Sequence, residues 1–188
     1  MEKPGILPID LLMKEHRLIE RFIGLLKKET DKMVETEKLD SNFIVTAVDF
    51  LRTYADSCHH GKEEGILFKA LSEKRLSDAD NTMMRELVAE HVYARKKVNN
   101  LEKTKESFVK GEVGSIRNTL QLMIDLIEFY PMHINKEDRQ FFYSSTEYFS
   151  QQEQKVMLQQ FWEFDRNLVQ SKYQQIIERM ENTSASTL

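Results

Sequence analysis

The chain has 188 residues, 40% apolar and 31% charged, with a net charge of −4, six glycines, three prolines and one cysteine. That length holds one buried core or slightly more, and the scarcity of Gly and Pro argues against a turn-rich β protein. The acidic balance without a Lys/Arg block argues against nucleic acid and membrane partners, the single Cys58 excludes an internal disulfide, and no signal peptide or apolar run of about 18 residues is present, so a cytoplasmic location is expected.

Pro4, Gly5 and Pro8 make an extended lead-in. From Ile9 the apolar residues take a helical period through Leu12, His16, Ile19, Ile23, Leu26, Thr30 and Met33, and the pattern fades near Glu35 to Lys38. Asp40-Ser41-Asn42 is a capping cluster for a second helix, whose stripe reads Phe43, Ala47, Phe50, Tyr54, Ser57, His60, Glu64, Leu67/Phe68 and Leu71. On that projection His60 and Glu64 point inward, while His59 falls with Arg52, Asp56, Lys62 and Glu63 on a charged face. Gly61 and Gly65 inside this helix each cost roughly 1 kcal/mol relative to Ala.

After a break over Ser72 to Asp78, Ser77 or Asp78 caps a third helix with the stripe Met84, Leu87, His91, Ala94, Val98, Leu101, Lys105 and Phe108. Gly111 to Ser115 stops it and caps the next. The fourth stripe is Ile116, Leu120, Met123, Ile127, Tyr130, Ile134, Glu137 and Phe141, with His133 on its edge and a kink expected at Pro131. A weak point follows at Ser144 to Ser150. A fifth helix over about 152 to 180 is then expected to cover an outer groove or a partner subunit, and residues 181–188 read as a frayed tail. The expected fold is all-α: an antiparallel up-down four-helix bundle over residues 1–150, with residues 151–188 as an added C-terminal helix and tail.

Short connections make neighbouring helices antiparallel, so residues equidistant from a turn share a level. His16 and His60 lie about 22 residues either side of residue 38; His60 and His91 lie about 16 and 15 either side of 76; His91 and His133 lie about 21 either side of 112. An error of two residues shifts a level by only ~3 Å. Four seam histidines therefore share one layer, with Glu64 and Glu137 a turn away. A weak repeat supports this: Glu15-His16 and Glu90-His91 each precede a His-x-x-x-Glu, 44 residues on from His16 to His60 and 42 on from His91 to His133. Four imidazoles and two carboxylates in one buried layer need a cation. The donor set suits iron, manganese or zinc rather than calcium, and two carboxylates from opposite halves suit a dinuclear site.

These residues carry a family resemblance. Glu15-His16, His59-His60-Gly61-Lys62-Glu63-Glu64 with Leu67-Phe68, Glu90-His91, and His133-Ile134-Asn135-Lys136-Glu137-Asp138 with Phe141 together resemble the hemerythrin-like (HHE cation-binding) domain. The resemblance implies two non-haem iron ions, oxo- or hydroxo-bridged, with Glu64 and Glu137 as bridges, His16 and His60 on one iron, and His91 and His133 on the other. It also implies an open position for dioxygen, nitric oxide or a small anion. Two departures stand out. Arg95 occupies the position of a fifth histidine, one turn after His91, leaving the site one imidazole short. The carboxylate five residues after the last histidine is Asp138, but Glu137, four on, lies on the seam and is the preferred bridge. Glu20 and Glu63 are candidate replacement ligands, Tyr54 and Tyr130 are candidate hydrogen-bond donors near the site, and Cys58 reads as a small buried residue. The expected function is to bind or sense dioxygen, nitric oxide or a related small ligand. The alternatives are a di-iron enzyme processing peroxide or nitric oxide, an iron storage or sensing protein, and a metal-free or zinc-bound interaction module; the C-terminal helix is also a candidate homodimer contact.

Overall fold

The structure, a computed structural model, describes residues 6–109, 115–166 and 169–185. Six helices and no strand occur among them. Helix α1 is Pro8–Thr36, α2 spans 41–72, α3 is Asp78–Val109, α4 spans 115–146, α5 is Gln151–Asp165 and α6 is Val169–Ala185. The chain is thus an all-α helical bundle, as expected. The connection at 111–114 and the lead-in at Pro4 and Gly5 lie outside the described residues.

Local chemistry sets the boundaries. Pro8 opens α1, where its missing N–H costs nothing, and the Asp10 carboxylate accepts from the Leu7 N–H at 2.8 Å. Asp40 caps α2 by accepting from the N–H groups of Asn42 and Phe43, both at 3.0 Å. The Ser77 hydroxyl accepts from the Asp80 N–H at 3.1 Å and starts α3. Helix α4 ends at Thr146, and Ser150 with Glu153 forms a capping box that starts α5. Helix α4 runs unbroken through the exposed Pro131.

Pairs along the helices establish the antiparallel order. Phe22 stacks on Phe50 while Glu15 meets His59. Arg52 meets Glu102 while Glu64 meets His91, and Lys97 meets Asp125 while Glu90 meets His133. The C-terminal segment corrects the expectation of one helix over 152 to 180. It is two helices, with α5 ending at Asp165 and α6 beginning at Val169. Both pack across α1 and α2, so they cover a groove of the chain's own bundle.

The apolar interior has two parts. One holds Ile9, Leu12, Leu67, Phe68, Leu87, Phe141 and Phe142, closed by Met157 and Phe161 of α5. The other holds Ile19, Phe22, Phe50, Tyr54, Leu101, Met123 and Tyr130, closed by Tyr173 and Ile177 of α6. Between them lies a layer of buried polar side chains: Glu15, His16, His59, His60, Lys62, Glu63, His91, His133 and Glu137. The break between α5 and α6 falls beside that layer, since Asp165 reaches Lys62.

Candidate metal centre

The layer depends on how two helices are wound. In α2, residues Leu51–His60 and Glu63–Phe68 are π-helical, and in α4 so are Glu137–Phe141. A π turn takes more residues than an α turn, so successive side chains no longer step round by the α-helical angle. This overturns the inward face expected of α2. His59 is only 1% exposed and points inward along with His60, and Glu63, at 0%, replaces Glu64. The layer therefore holds five imidazoles rather than four.

Glu63 and Glu137 lie at its centre. The Glu63 Oε1 is 3.3 Å from His59 Nε2, and its Oε2 is 3.4 Å from His91 Nε2. The Glu137 Oε2 is 3.2 Å from His16 Nε2 and 3.3 Å from His133 Nε2, with Oε1 3.6 Å from His91 Nε2. Two donor groups result. His16, His59, Glu63 and Glu137 offer atoms within 4.8 Å of one another, and so do His60, His91 and His133. Each glutamate faces both groups.

Every imidazole is oriented from outside by a carboxylate at Nδ1. Asp138 meets His16 at 2.7 Å, Glu15 meets His59 at 2.8 Å, Asp56 meets His60 at 3.3 Å, Glu64 meets His91 at 2.7 Å and Glu90 meets His133 at 2.7 Å. Each carboxylate is in turn held by a cation: Asp138 by Arg17, Glu15 by Lys62, Asp56 and Glu64 by Arg95, and Glu90 by Lys136. A carboxylate that accepts the Nδ1 proton leaves Nε2 as a lone pair aimed at the centre, the arrangement that metal-ligating histidines adopt. The Nε2 atoms of His16, His59, His91 and His133, and all four oxygens of Glu63 and Glu137, are buried without a hydrogen-bond partner among the described residues. Buried polar atoms are normally satisfied, so a converging set of lone pairs and carboxylate oxygens fits a cation.

The electrostatics are those of the metal-free layer, in which protons on Glu63 and His16 stand where a cation's charge would act. Burial and the neighbouring Glu137 push the Glu63 carboxyl well above its usual range. Burial acts on Glu137 too, but His133, His16 and His91 hold it well below. Burial opposes charge on His16, yet Asp138 and Glu137 lift it to about 9. Burial and the positive His16 drive His59 down to about 4, and burial with His91 and His133 drives His60 far down. Two close carboxylates cannot both stay charged here without a cation.

The other expected residues sit outside the inner set. Glu64 is half-exposed and orients His91; Asp138 orients His16. Glu20 is exposed beside Arg17, away from the centre. Tyr54 packs among Phe50 and Tyr173, and Cys58 is half-buried rather than buried. Tyr130 is buried and, with Asp56, His60 and Arg95, lines a cleft of about 230 Å³ that opens between α2 and α3. A second cleft, of about 220 Å³, lies beside Glu15, Trp162 and Asp165.

The sequence carried a signal for the inner set. Glu15, His16, His59, Lys62, Glu63 and Glu64 match Glu90, His91, His133, Lys136, Glu137 and Asp138 position for position, with 43 residues from His16 to His59 and 42 from His91 to His133. The contacts repeat as well: Glu15 and Glu90 each take a lysine and the Nδ1 of the later histidine of their own half, and Glu64 and Asp138 each take the earlier histidine of the other half, His91 and His16. In this register His60 is the extra imidazole, standing opposite Ile134 in the repeat.

A helical bundle with a buried, doubly supported imidazole–carboxylate layer defines a class of metal-binding protein. The hemerythrin HHE cation-binding domain matches residues 7–143, and the chain belongs to that family. Comparison with curated proteins and with solved structures finds no match.

Proposed function

We propose that the chain binds two iron ions and uses them to bind or sense dioxygen, nitric oxide or a related small ligand. The observation that carries this reading is the pair Glu63 and Glu137, each aimed at both histidine groups with no hydrogen-bond partner of its own among the described residues. In the proposed assignment His16 and His59 hold one ion, His60, His91 and His133 hold the other, and the two glutamates lie between. Imidazole with carboxylate suits iron, with manganese and zinc as competitors. An iron pair supplies a position for a small ligand and the capacity to exchange electrons with it.

The protein's own groups do the rest. The five carboxylates at Nδ1 fix the imidazoles and raise their donor strength. Apolar clusters above and below keep water from the layer. His60 completes a three-histidine half, so the two-histidine half is the side with room for a ligand. Arg95, at the position of the fifth histidine of the family pattern, does different work: its guanidinium holds Asp56 and Glu64, which orient His60 and His91.

The test is anaerobic reconstitution with iron(II), metal analysis, and absorption spectra before and after dioxygen, nitric oxide and azide. Two irons per chain and a near-ultraviolet band that changes with added ligand are expected. Substoichiometric iron, or bound iron whose spectrum ignores all three ligands, overturns the reading. Sustained turnover of peroxide or nitric oxide, lost in His60→Ala, would establish the enzyme alternative instead.

A further inference from the structure

We propose that Lys62 and Asp165 are positioning residues for the two-histidine half of the centre, so that α5, which lies beyond the segment matched to the family, is built into the metal site. The inference rests on the assignment above. Lys62 is fully buried, and its ammonium lies between the carboxylates of Glu15 and Asp165. Glu15 uses one oxygen for Lys62 and the other for His59 Nδ1, while His59 Nε2 faces Glu63. An unbroken polar line thus runs from the last residue of α5 to the centre.

The internal repeat shows why α5 is needed. Lys136, the counterpart of Lys62, takes two carboxylates from the bundle itself, Glu90 and Glu86. The counterpart of Glu86 is Leu11, which offers nothing to a lysine. Asp165 supplies the missing acceptor from outside the repeat. The halves also differ in exposure: the Lys136 side chain is 26% exposed, and that of Lys62 is 1% exposed. Water can replace a lost partner at Lys136, but at Lys62 a lost partner leaves a buried ammonium half-satisfied. A second contact seats the same end of α5: a Cβ at Gly61 would lie 3.0 Å from the Phe164 ring. The glycine leaves room for that ring beside the layer.

If α5 lifts, Lys62 loses Asp165, Glu15 loses a fixed partner, and His59 is no longer held in its ligating orientation. Linkage then runs both ways: metal binding favours docked α5, and docked α5 favours metal. The test uses the full chain. Hydrogen exchange over 151–165 is compared between iron(II)-loaded and stripped protein under anaerobic conditions, and stepwise iron(II) affinity is measured against a competing chelator. Loading is expected to slow exchange in 151–165. Asp165→Asn is expected to weaken one of the two irons by about tenfold, the lower end of what outer-shell substitutions cost, while the matched Glu86→Gln changes affinity less than about twofold. Unchanged exchange on loading, equal weakening of both irons, or an Asp165→Asn affinity equal to wild type overturns the proposal. If Asp165→Asn does not fold, the wild-type exchange comparison decides. A wild type that takes up no iron overturns this inference together with the function it rests on; normal uptake with indifferent α5 overturns this inference alone.

Discussion

Burying Glu63 beside Glu137 strips both carboxylates of water and sets like charges together, at a cost of several kcal/mol per ion. In the metal-free protein, protonation of Glu63 relieves that cost, because burial and Glu137 raise its carboxyl well above the usual range. Glu63→Gln imitates the protonated form. It should therefore leave the metal-free stability within about 1 kcal/mol of wild type, yet reduce iron from two per chain to one or none. Glu64→Gln should keep the stoichiometry and weaken affinity by about tenfold, because Glu64 orients His91 from outside. Metal analysis paired with thermal scans separates the two; a Glu64→Gln protein that loses an iron outright would contradict the inner and outer assignment. Neighbouring residues that a 3.6-residue projection sends to different faces are the ones that sequence reasoning placed wrongly. The projection assumes an α-helix, and residues 51–60 and 63–68 are π-helical.

Helices differ in how tightly their composition binds them to their present shape. Gly65 has nothing within 4 Å of a Cβ built on it, whereas Gly61 faces Phe164. Gly65→Ala should stabilise α2 by roughly 0.5–1 kcal/mol through the unfolded chain's lost freedom. Gly61→Ala should gain less, because the Phe164 ring has to move. Differential scanning calorimetry on both variants checks the order, and a larger gain at Gly61 would refute the seating of Phe164. The start of α3 gives a pH dependence. Asp80 accepts from the hydroxyls of Ser77, Tyr148 and Ser144, and the first two chiefly hold its carboxyl below the ordinary value. A depressed folded-state pKa contributes stability above the unfolded value, near 3.9, and loses it as pH falls through the folded value. Asp80→Asn should cost about 1 kcal/mol at pH 7, the net worth of the hydroxyl hydrogen bonds it weakens, and the difference from wild type should shrink below pH ~4. Parallel thermal melts from pH 3 to 7 measure it.

Across the whole chain, the bundle was readable because apolar stripes and capping residues recur in four segments whose turns put the histidines at one level. The break after Asp165 was not readable: the apolar residues of α5 and α6 continue one period, but they pack into different clusters either side of the polar layer. The centre was readable in outline from the repeat, and His59 with Glu63 would have followed had the repeat been aligned on Lys62-Glu63-Glu64 and Lys136-Glu137-Asp138. Removing metal should lower stability by about 4 kcal/mol for each of the two ions when free iron exceeds its dissociation constant a thousandfold, or roughly 8–16 °C in Tm per ion for a chain of this length. A Tm indifferent to chelation would show that the layer satisfies itself.

The polar layer also divides the apolar interior, because no described cluster passes through it. Emptied of cations, the layer joins the two ends through ring contacts such as Phe68 on His91 and Phe129 on His133, and the two ends of the bundle are expected to open as separate cooperative units. Filled, it ties four helices at one level and fuses those units. Native-state hydrogen exchange under mild denaturant should then show two opening energies in the stripped protein, one for the end holding Phe68 and Phe141 and one for the end holding Phe22 and Phe50, and a single opening energy once metal is bound.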